Sequence, residues 1–235
     1  TYGDNRVGNL GGQDPYGINT VSAFGNYDQY ALNKAFQLQD IFESPILTFR
    51  EQVEEICEGA DKQLGIETKL NESRETWSKT TFQFGKWKGR DCPILQAFGQ
   101  IIDDLEEAQM NMQTLLSMRH VGPFREPVQE QLTALSDTAD TLELWIKVQL
   151  LWTALESVFM GGDIAKQMPT EAKKFAKIDK DWIKLMLTAA ERMVVVQCCG
   201  NELLRNTLPV LYMELEKCQK SLEGYLEQKR NRFPR

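Results

Sequence analysis

One stretch, LWIKVQLLWTALESVF from Leu144 to Phe159, constrains the fold more than any other part of the chain. Its large apolar side chains recur at intervals of three and four residues, which places them on one face of an α-helix. They are Trp145, Val148, Trp152, Leu155 and Phe159. The same spacing extends back to Pro127. The pattern therefore predicts a single helix, roughly 50 Å long at about 1.5 Å per residue, that needs partner helices along its length.

Similar apolar rows predict helices over much of the remaining chain. The rows run from Ile46 to Ala60, Phe98 to Leu115, Phe175 to Leu185 and Leu208 to Tyr225. Proline fits the first position of a helix, so Pro45, Pro93 and Pro169 are predicted starts, and Gly65 is expected to kink or end the first helix. The predicted fold class is all-α, built from antiparallel helical bundles. A compact domain of this length has a radius of gyration of about 18 Å, so the long helix predicts an elongated rod.

One segment breaks the helical pattern. In TFQFGKWKGRD, from Thr81 to Asp91, phenylalanines alternate with polar residues, and glycines flank Trp87. Alternation followed by glycine is typical of strands and tight turns, so we predict a small β-hairpin over about 81–91. A two-stranded hairpin is marginal alone, so it is expected to pack on a helix.

The pattern divides the chain into three predicted parts. Residues 1–34 carry six of the sixteen glycines and show no sustained period, so this segment is expected to be poorly ordered, to lean on a partner, or to be foreign to the natural protein. Residues 35–160 are predicted to form a first helical bundle that includes the hairpin. Residues 161–235 are predicted to form a second helical segment, with Gly161 and Gly162 making the corner between the two.

The overall charge excludes two classes of partner. The formal net charge is −7, whereas a general nucleic-acid or membrane-surface binder needs a basic surface. No apolar run is long enough to cross a bilayer. We therefore expect no nucleic acid and no membrane among the partners.

Few residues have the chemistry of an active site. The single histidine, His120, lies in a turn-like HVGP sequence, and no pair of cysteines has the spacing of a zinc site. Gly161-Gly162-Asp163 follows a helix and not a strand, which is the wrong context for a phosphate-binding loop. The sequence therefore predicts no catalytic residue, no metal site and no cofactor site.

An enzymatic alternative rests on two weaker features. The five cysteines are read as free thiols, and the adjacent Cys198 and Cys199 are either buried, inert sulfur or a redox pair. The acidic run at 103–107 has the carboxylates of a metal-binding bundle but lacks the Glu-x-x-His pairs that such bundles use. Buried sulfur and a solvated acidic face are the favoured interpretations.

Several sequence motifs in the second half of the chain resemble the linker of dynein heavy chains. Four motifs carry the resemblance. They comprise Trp145, Val148, Gln149, Trp152, Leu155, Glu156 and Phe159; then Asp163, Ile164, Met168 and Pro169; then Phe175, Ile178, Asp179 and Trp182; and finally LEKCQKSLEGYLEQKRNRFPR, which ends in Lys229, Arg230, Phe233, Pro234 and Arg235. The glycine-rich corner and the paired cysteines are similar to an axonemal outer-arm heavy chain of the gamma type. The resemblance covers about residues 36–235 and implies the amino-terminal half of the linker.

The resemblance implies a mechanical role. In that family the linker lies across a ring of AAA+ modules and changes shape as nucleotide turns over, so the chain is expected to carry force from the ring to the tail. Five residues are predicted packing anchors that stiffen the bundles: Trp145, Trp152, Phe159, Trp182 and Tyr225. A close-packed core deforms little, which suits a lever.

Partners and location follow from the same resemblance. The expected partners are the AAA+ ring and the tail of the same heavy chain, with other dynein subunits also possible and no direct microtubule contact. ATP and Mg²⁺ are expected in the ring, outside this sequence, and the expected location is the cytoskeleton of a ciliary or flagellar axoneme. The alternative that stays open is a static helical docking scaffold resembling spectrin repeats.

Overall fold

The structure is a computed structural model that describes residues 38–43, 45–161 and 163–232. The predicted glycine-rich segment 1–34 lies outside the described residues. The helices, in chain order, are α1 Leu38–Glu43, α2 Arg50–Lys79, α3 Phe98–Ser117, α4 Arg125–Phe159, α5 Ile164–Gln167, α6 Pro169–Arg192, α7 Val195–Cys199 and α8 Glu202–Arg230. Short 3-10 helices cover Pro45–Phe49 and Gly122–Phe124, and the strands are β1 Gln83–Lys86 and β2 Pro93–Gln96. The prediction of an all-α fold with a small β-hairpin is confirmed.

The hairpin lies further along the chain than its predicted range of 81–91. Strand β1 pairs antiparallel with β2, with Phe84 opposite Leu95 and Lys86 opposite Pro93. Pro93 therefore begins a strand, and the prediction that it begins a helix is wrong. Proline is tolerated at the first residue of a strand, and the apolar Ile94 and Leu95 that follow it suit a pleated, half-buried surface.

Helix α2 departs from the predicted pattern in two ways. It runs unbroken through Gly65, so the expected end at this residue is wrong, while the alternative of a kink there stays a prediction. The apolar row predicted from Ile46 to Ala60 is largely open to solvent, with Phe49 and Ile56 exposed. The buried residues of α2 all lie in its second half, because only that half packs against other helices: Ile66, Leu70 and Trp77.

Helix α4 is the common element of the fold. It has 35 residues and is therefore roughly 52 Å long at about 1.5 Å per residue. Helix α2 contacts its first half at Gln131, and α3 lies along it as far as Ile146. Helix α6 packs on its second half at Trp145 and Trp152, and α8 follows it from Asp137 to Val158. The boundary predicted at residue 160 between two helical parts stays a prediction. Helix α4, which ends just before it, contacts helices of both predicted parts.

The directions of neighbouring helices follow from the residues that meet. The side chain of Gln109 on α3 donates to the carbonyl of Leu135 on α4, and Ile102 lies near Ile146, so α3 and α4 are antiparallel. Helix α6 is likewise antiparallel to α4. Helix α8 is parallel to α4, because contacts with α4 move forward along both helices.

The core forms one continuous cluster along these helices. Its largest fully buried side chains are aromatic, and each contributes about 1.5–3 kcal/mol through burial. They are Trp145, Trp152, Trp182, Phe82 and Phe175. No helix among the described residues is long and apolar enough to cross a membrane.

The cysteines are free thiols, and Cys57 is exposed while the other four are buried. Burial raises the pKa of Cys198 to about 11 and raises the pKa of Cys199 well beyond its usual range. Both thiols therefore stay protonated near neutral pH. This supports the interpretation of buried, inert sulfur over a redox pair.

Candidate functional site

The hairpin is attached to α4 through a buried side-chain amide. The backbone N–H of Leu95 donates to Oε1 of Gln149 at 2.8 Å, and Nε2 of Gln149 donates back to the Leu95 carbonyl at 3.0 Å. A free strand edge normally exposes such backbone groups. Gln149 therefore takes the place of a third strand and fixes β2 against the helix.

A second attachment lies at the hairpin turn. Glu156 on α4 accepts from Nε1 of Trp87 at 3.0 Å, from Nζ of Lys88 at 3.3 Å and from Arg90 at 3.0 Å. Its side chain is only 6% exposed. A buried carboxylate needs partners of this kind, because its desolvation is otherwise strongly unfavourable. The turn that presents them has left-handed backbone at Lys88 and Gly89.

Arg90 extends this attachment to a second helix. Its guanidinium donates at 2.6 Å to Oδ2 of Asp179 on α6, while Nε1 of Trp152 donates to the other carboxylate oxygen of Asp179 at 3.1 Å. The guanidinium also lies 5.8 Å from the centre of the Trp152 ring. We call Lys88, Arg90, Glu156 and Asp179 the charged clamp. It joins the hairpin, α4 and α6 in one network of two cations and two carboxylates.

The electrostatics of the clamp favour its charged form. Burial alone raises the pKa of Glu156, but the hydrogen bonds from Trp87, Arg90 and Lys88 outweigh it, and the pKa is lowered. The hydrogen bond to Asp179 is the main reason that the pKa of Arg90 is raised. Both shifts mean that the folded chain stabilises the ionised groups at neutral pH.

Aromatic rings pack between α4, α6 and the hairpin in two groups. The centroids of Trp87 and Trp152 are 6.1 Å apart, and those of Trp152 and Trp182 are 5.8 Å apart. Phe159 stacks on Phe175 at 5.4 Å. Rings at these separations attract one another beyond simple burial. They form the apolar side of the site and connect α4 to α6.

The structure locates most of the residues singled out in the sequence. Four of the predicted packing anchors are buried: Trp145, Trp152, Phe159 and Trp182. Tyr225 is half-buried on α8, and its hydroxyl is hydrogen-bonded to Gln167 of α5. The role of these residues as anchors stays a prediction.

The predicted corner and terminus are described only in part. Gly161 lies in the turn after α4, and Gly162 lies outside the described residues. Lys229 and Arg230 are exposed in the last turn of α8. Phe233, Pro234 and Arg235 lie outside the described residues.

Sequence reasoning missed the clamp, although a signal for it exists. Glu156 lies four residues after Trp152 and three before Phe159. Asp179 stands in the same relation to Phe175 and Trp182. Both carboxylates therefore belong to the inward faces of their helices, where a charge requires a buried partner. Arg90 had no such signal, because its position depends on the shape of the hairpin turn.

The described residues offer little other chemistry. They contain no group of three or more His, Cys, Asp or Glu side chains that could hold a metal ion. His120 is half-buried in the turn between α3 and α4, beside Gly59 of α2. The acidic residues of the 103–107 run are exposed on α3. What the described contacts show is an attachment of the hairpin to α4 and α6.

Comparison with known proteins supplies the family. Residues 20–235 match the family model "Dynein heavy chain, N-terminal region 2". The chain is 45% identical over 206 residues to dynein axonemal heavy chain 5 of Mus musculus, covering 86% of this chain and 4% of the relative. It is 45% identical over 204 residues to dynein axonemal heavy chain 8 of Homo sapiens, again covering 86% of this chain and 4% of the relative.

A third relative is a flagellar outer-arm chain. The chain is 41% identical over 203 residues to the dynein gamma chain of the flagellar outer arm of Chlamydomonas reinhardtii, covering 85% of this chain and 4% of the relative. The chain thus spans about 4% of the length of these relatives. The four sequence motifs, the helical fold and these matches agree, and the chain belongs to the dynein heavy chain family, in which it corresponds to N-terminal region 2.

Proposed function

We propose that this region is a stiff mechanical element, the amino-terminal half of the linker of an axonemal dynein heavy chain. One observation carries the proposal most directly. The 35-residue helix α4 is covered by helices that overlap along its length, with α3 contacting it up to Ile146 and α8 contacting it from Asp137 to Val158. A bend in α4 would have to disturb these overlapping helices, so force applied at one end is transmitted to the other.

The charged clamp adds resistance to sliding. The hydrophobic effect has no preferred direction, whereas the hydrogen bonds of the clamp have a fixed geometry between the helices. Arg90 contacts a carboxylate on each of α4 and α6 within 3.0 Å. Breaking one partner of a buried ion pair typically costs about 3–5 kcal/mol, so the clamp opposes a relative displacement of the two helices.

The partners are part of the same proposal. The AAA+ ring would bind ATP and Mg²⁺ and drive the motion, and this region would pass that motion to the tail. The relatives are named axonemal or flagellar outer-arm chains, which supports placement in the axoneme of a cilium or flagellum. Other dynein subunits are possible neighbours, and the region itself needs no catalytic group for this role.

The proposal is tested in the complete heavy chain by measuring ATP turnover and microtubule gliding separately. Arg90→Ala removes the shared cation of the clamp, and Lys86→Ala on the same hairpin removes a side chain whose ion pair with Asp91 is exposed to solvent. We expect Arg90→Ala to slow microtubule gliding while ATP turnover by the ring continues, because a less rigid linker transmits less of the ring's motion to the tail. Lys86→Ala should glide at the normal speed.

Two outcomes would contradict the lever. Gliding at normal speed in Arg90→Ala, with local softening of the hairpin verified by hydrogen exchange, would favour a static scaffold. An equal loss of speed in both variants would show that the hairpin surface, and not the clamp, controls movement.

A further inference from the structure

A row of lysines runs along the outer face of α6. Lys173, Lys177, Lys180 and Lys184 follow one another at intervals of four, three and four residues, and all four are exposed. This spacing places them on one side of the helix. The side opposite to them is buried in the core. We call these four residues the basic ridge, which is about 16 Å long at a rise of about 1.5 Å per residue.

The basic ridge has four exposed lysines without an ion pair in one row. Four exposed lysines on other helices pair with a carboxylate one helical turn away: Lys62 with Glu58, Lys79 with Glu75, Lys147 with Glu143 and Lys220 with Glu216. Lys69 and Lys217 are also exposed and in no ion pair among the described residues, so the ridge is distinguished by its row of four and not by the lack of a pair alone. Among the described residues, no carboxylate lies within 4.0 Å of a ridge lysine. The nearby Lys174 pairs with Glu171 and so does not belong to the unpaired set.

Acidic residues beside the basic ridge do not neutralise it. Asp181 of α6 and Glu214 of α8 line the same groove as Lys177 and Lys184, so these two carboxylates are fewer than the four lysines of the ridge. Like charges one turn apart destabilise a helix. The row therefore weakens the helix that carries it, in a chain whose net charge is −7. An acidic partner would remove this repulsion.

We propose that the basic ridge is a docking surface for an acidic protein segment that is rich in glutamate. Its carboxylates would lie along the row of lysines. Leu187 continues the row three residues after Lys184 and is 45% exposed. An exposed leucine gives a protein partner an apolar contact, whereas it adds nothing to the binding of a phosphate backbone.

The test compares two variants with the same change in charge. The ridge variant carries Lys173→Gln, Lys177→Gln, Lys180→Gln and Lys184→Gln. The control variant carries Lys62→Gln, Lys79→Gln, Lys147→Gln and Lys220→Gln, which removes four lysines that already have partners. Each variant changes the net charge from −7 to −11, since four positive charges are lost. The probe is immobilised poly-L-glutamate at low ionic strength, measured by surface interferometry.

We expect the unmodified chain to bind poly-L-glutamate and the binding to weaken as salt is raised, because salt screens exposed charges. Each exposed ion pair raises the affinity roughly two- to threefold, so the loss of four pairs in the ridge variant should lower the affinity on the order of 30-fold. The control variant should retain most of its affinity. A third variant with arginine at the four ridge positions should bind as the unmodified chain does.

Four results would overturn the proposal. The first is an absence of poly-L-glutamate binding by the unmodified chain, and the second is an equal loss in the ridge and control variants. The third is ridge-dependent binding to duplex DNA or to phosphatidylserine vesicles in place of poly-L-glutamate. The fourth is ridge-dependent self-association in sedimentation, which would make a second copy of the chain the partner. Circular dichroism checks that each variant is folded, and none of these results depends on lever function.

Discussion

Replacing Arg90 with alanine is the sharpest perturbation of the clamp. Arg90 donates to Glu156 at 3.0 Å and to Asp179 at 2.6 Å. Without it, Asp179 keeps its hydrogen bond from Trp152, and Glu156 keeps its contacts with Trp87 and Lys88. The substitution therefore leaves two buried carboxylates with too little positive charge. It also frees the hairpin turn from α6.

The magnitude follows from burial. Removing one partner of a buried ion pair costs about 3–5 kcal/mol. The side chain of Arg90 is 27% exposed, so water can partly solvate the carboxylates in the variant, and the lower end applies. We expect a loss of about 3 kcal/mol in the free energy of unfolding. For a chain of this size the melting temperature should fall by about 6–12 °C.

The assay combines chemical denaturation with hydrogen exchange. Circular dichroism in guanidinium chloride gives the free energy of unfolding of the 235-residue chain. Amide exchange should rise first over 83–96, since the clamp holds the hairpin. The control is Lys86→Ala, which removes an ion pair whose side chains are 73% and 92% exposed. An exposed pair contributes about 0–1 kcal/mol, so this variant should be nearly neutral.

Two results would refute this reasoning. Equal destabilisation by Arg90→Ala and Lys86→Ala would mean that the clamp contributes no more than a surface ion pair. Faster exchange throughout the chain, without preference for the hairpin, would mean that Arg90 does not act as a local attachment.

Three further predictions concern the same core. Gln149→Ala removes both hydrogen bonds to the backbone of Leu95 and should cost about 2–3 kcal/mol, with faster exchange of the Leu95 amide. Folding lowers the pKa of Glu156. The ionised Glu156 therefore stabilises the folded chain above the unfolded pKa of about 4.3, and this stabilisation is lost as the pH falls through the lower folded pKa. In urea denaturation from pH 7 to pH 3, the free energy of unfolding should fall less in Glu156→Gln than in the unmodified chain. Under native conditions a thiol reagent should label Cys57 rapidly and the four buried cysteines slowly. Mass spectrometry of the peptides measures the labelling, and rapid labelling of all five cysteines would contradict the buried core.

The sequence predicts those parts of the fold that depend on local periodicity. The row through Trp145 and Trp152 repeats at helical spacing over many residues, and the predicted helix is present. The same reasoning failed at Pro93, because a proline that fits the start of a helix also fits the start of a strand. The choice was decided by pairing with β1, which is a contact between separate segments of the chain.

Burial was harder to predict than helix formation. The row that includes Phe49 and Ile56 has the spacing of a buried face, yet both residues are exposed. Spacing shows that apolar residues share a face, but it does not show whether another element covers that face. The clamp was missed for a related reason. Glu156 and Asp179 were visible on inward faces, whereas Arg90 reaches them only through the left-handed turn at Lys88 and Gly89.

The most direct measurement of stiffness is the distance distribution between spin labels at opposite ends of the described helices. Exposed positions are available at Glu130, near the start of α4, and at Glu227, near the end of α8, each replaced by cysteine in a background with Cys57→Ser. The lever account predicts one narrow distribution by pulsed electron spin resonance, and a broader one when Arg90→Ala is added. A broad or two-peaked distribution with the clamp intact would contradict the claim that these helices move as one body.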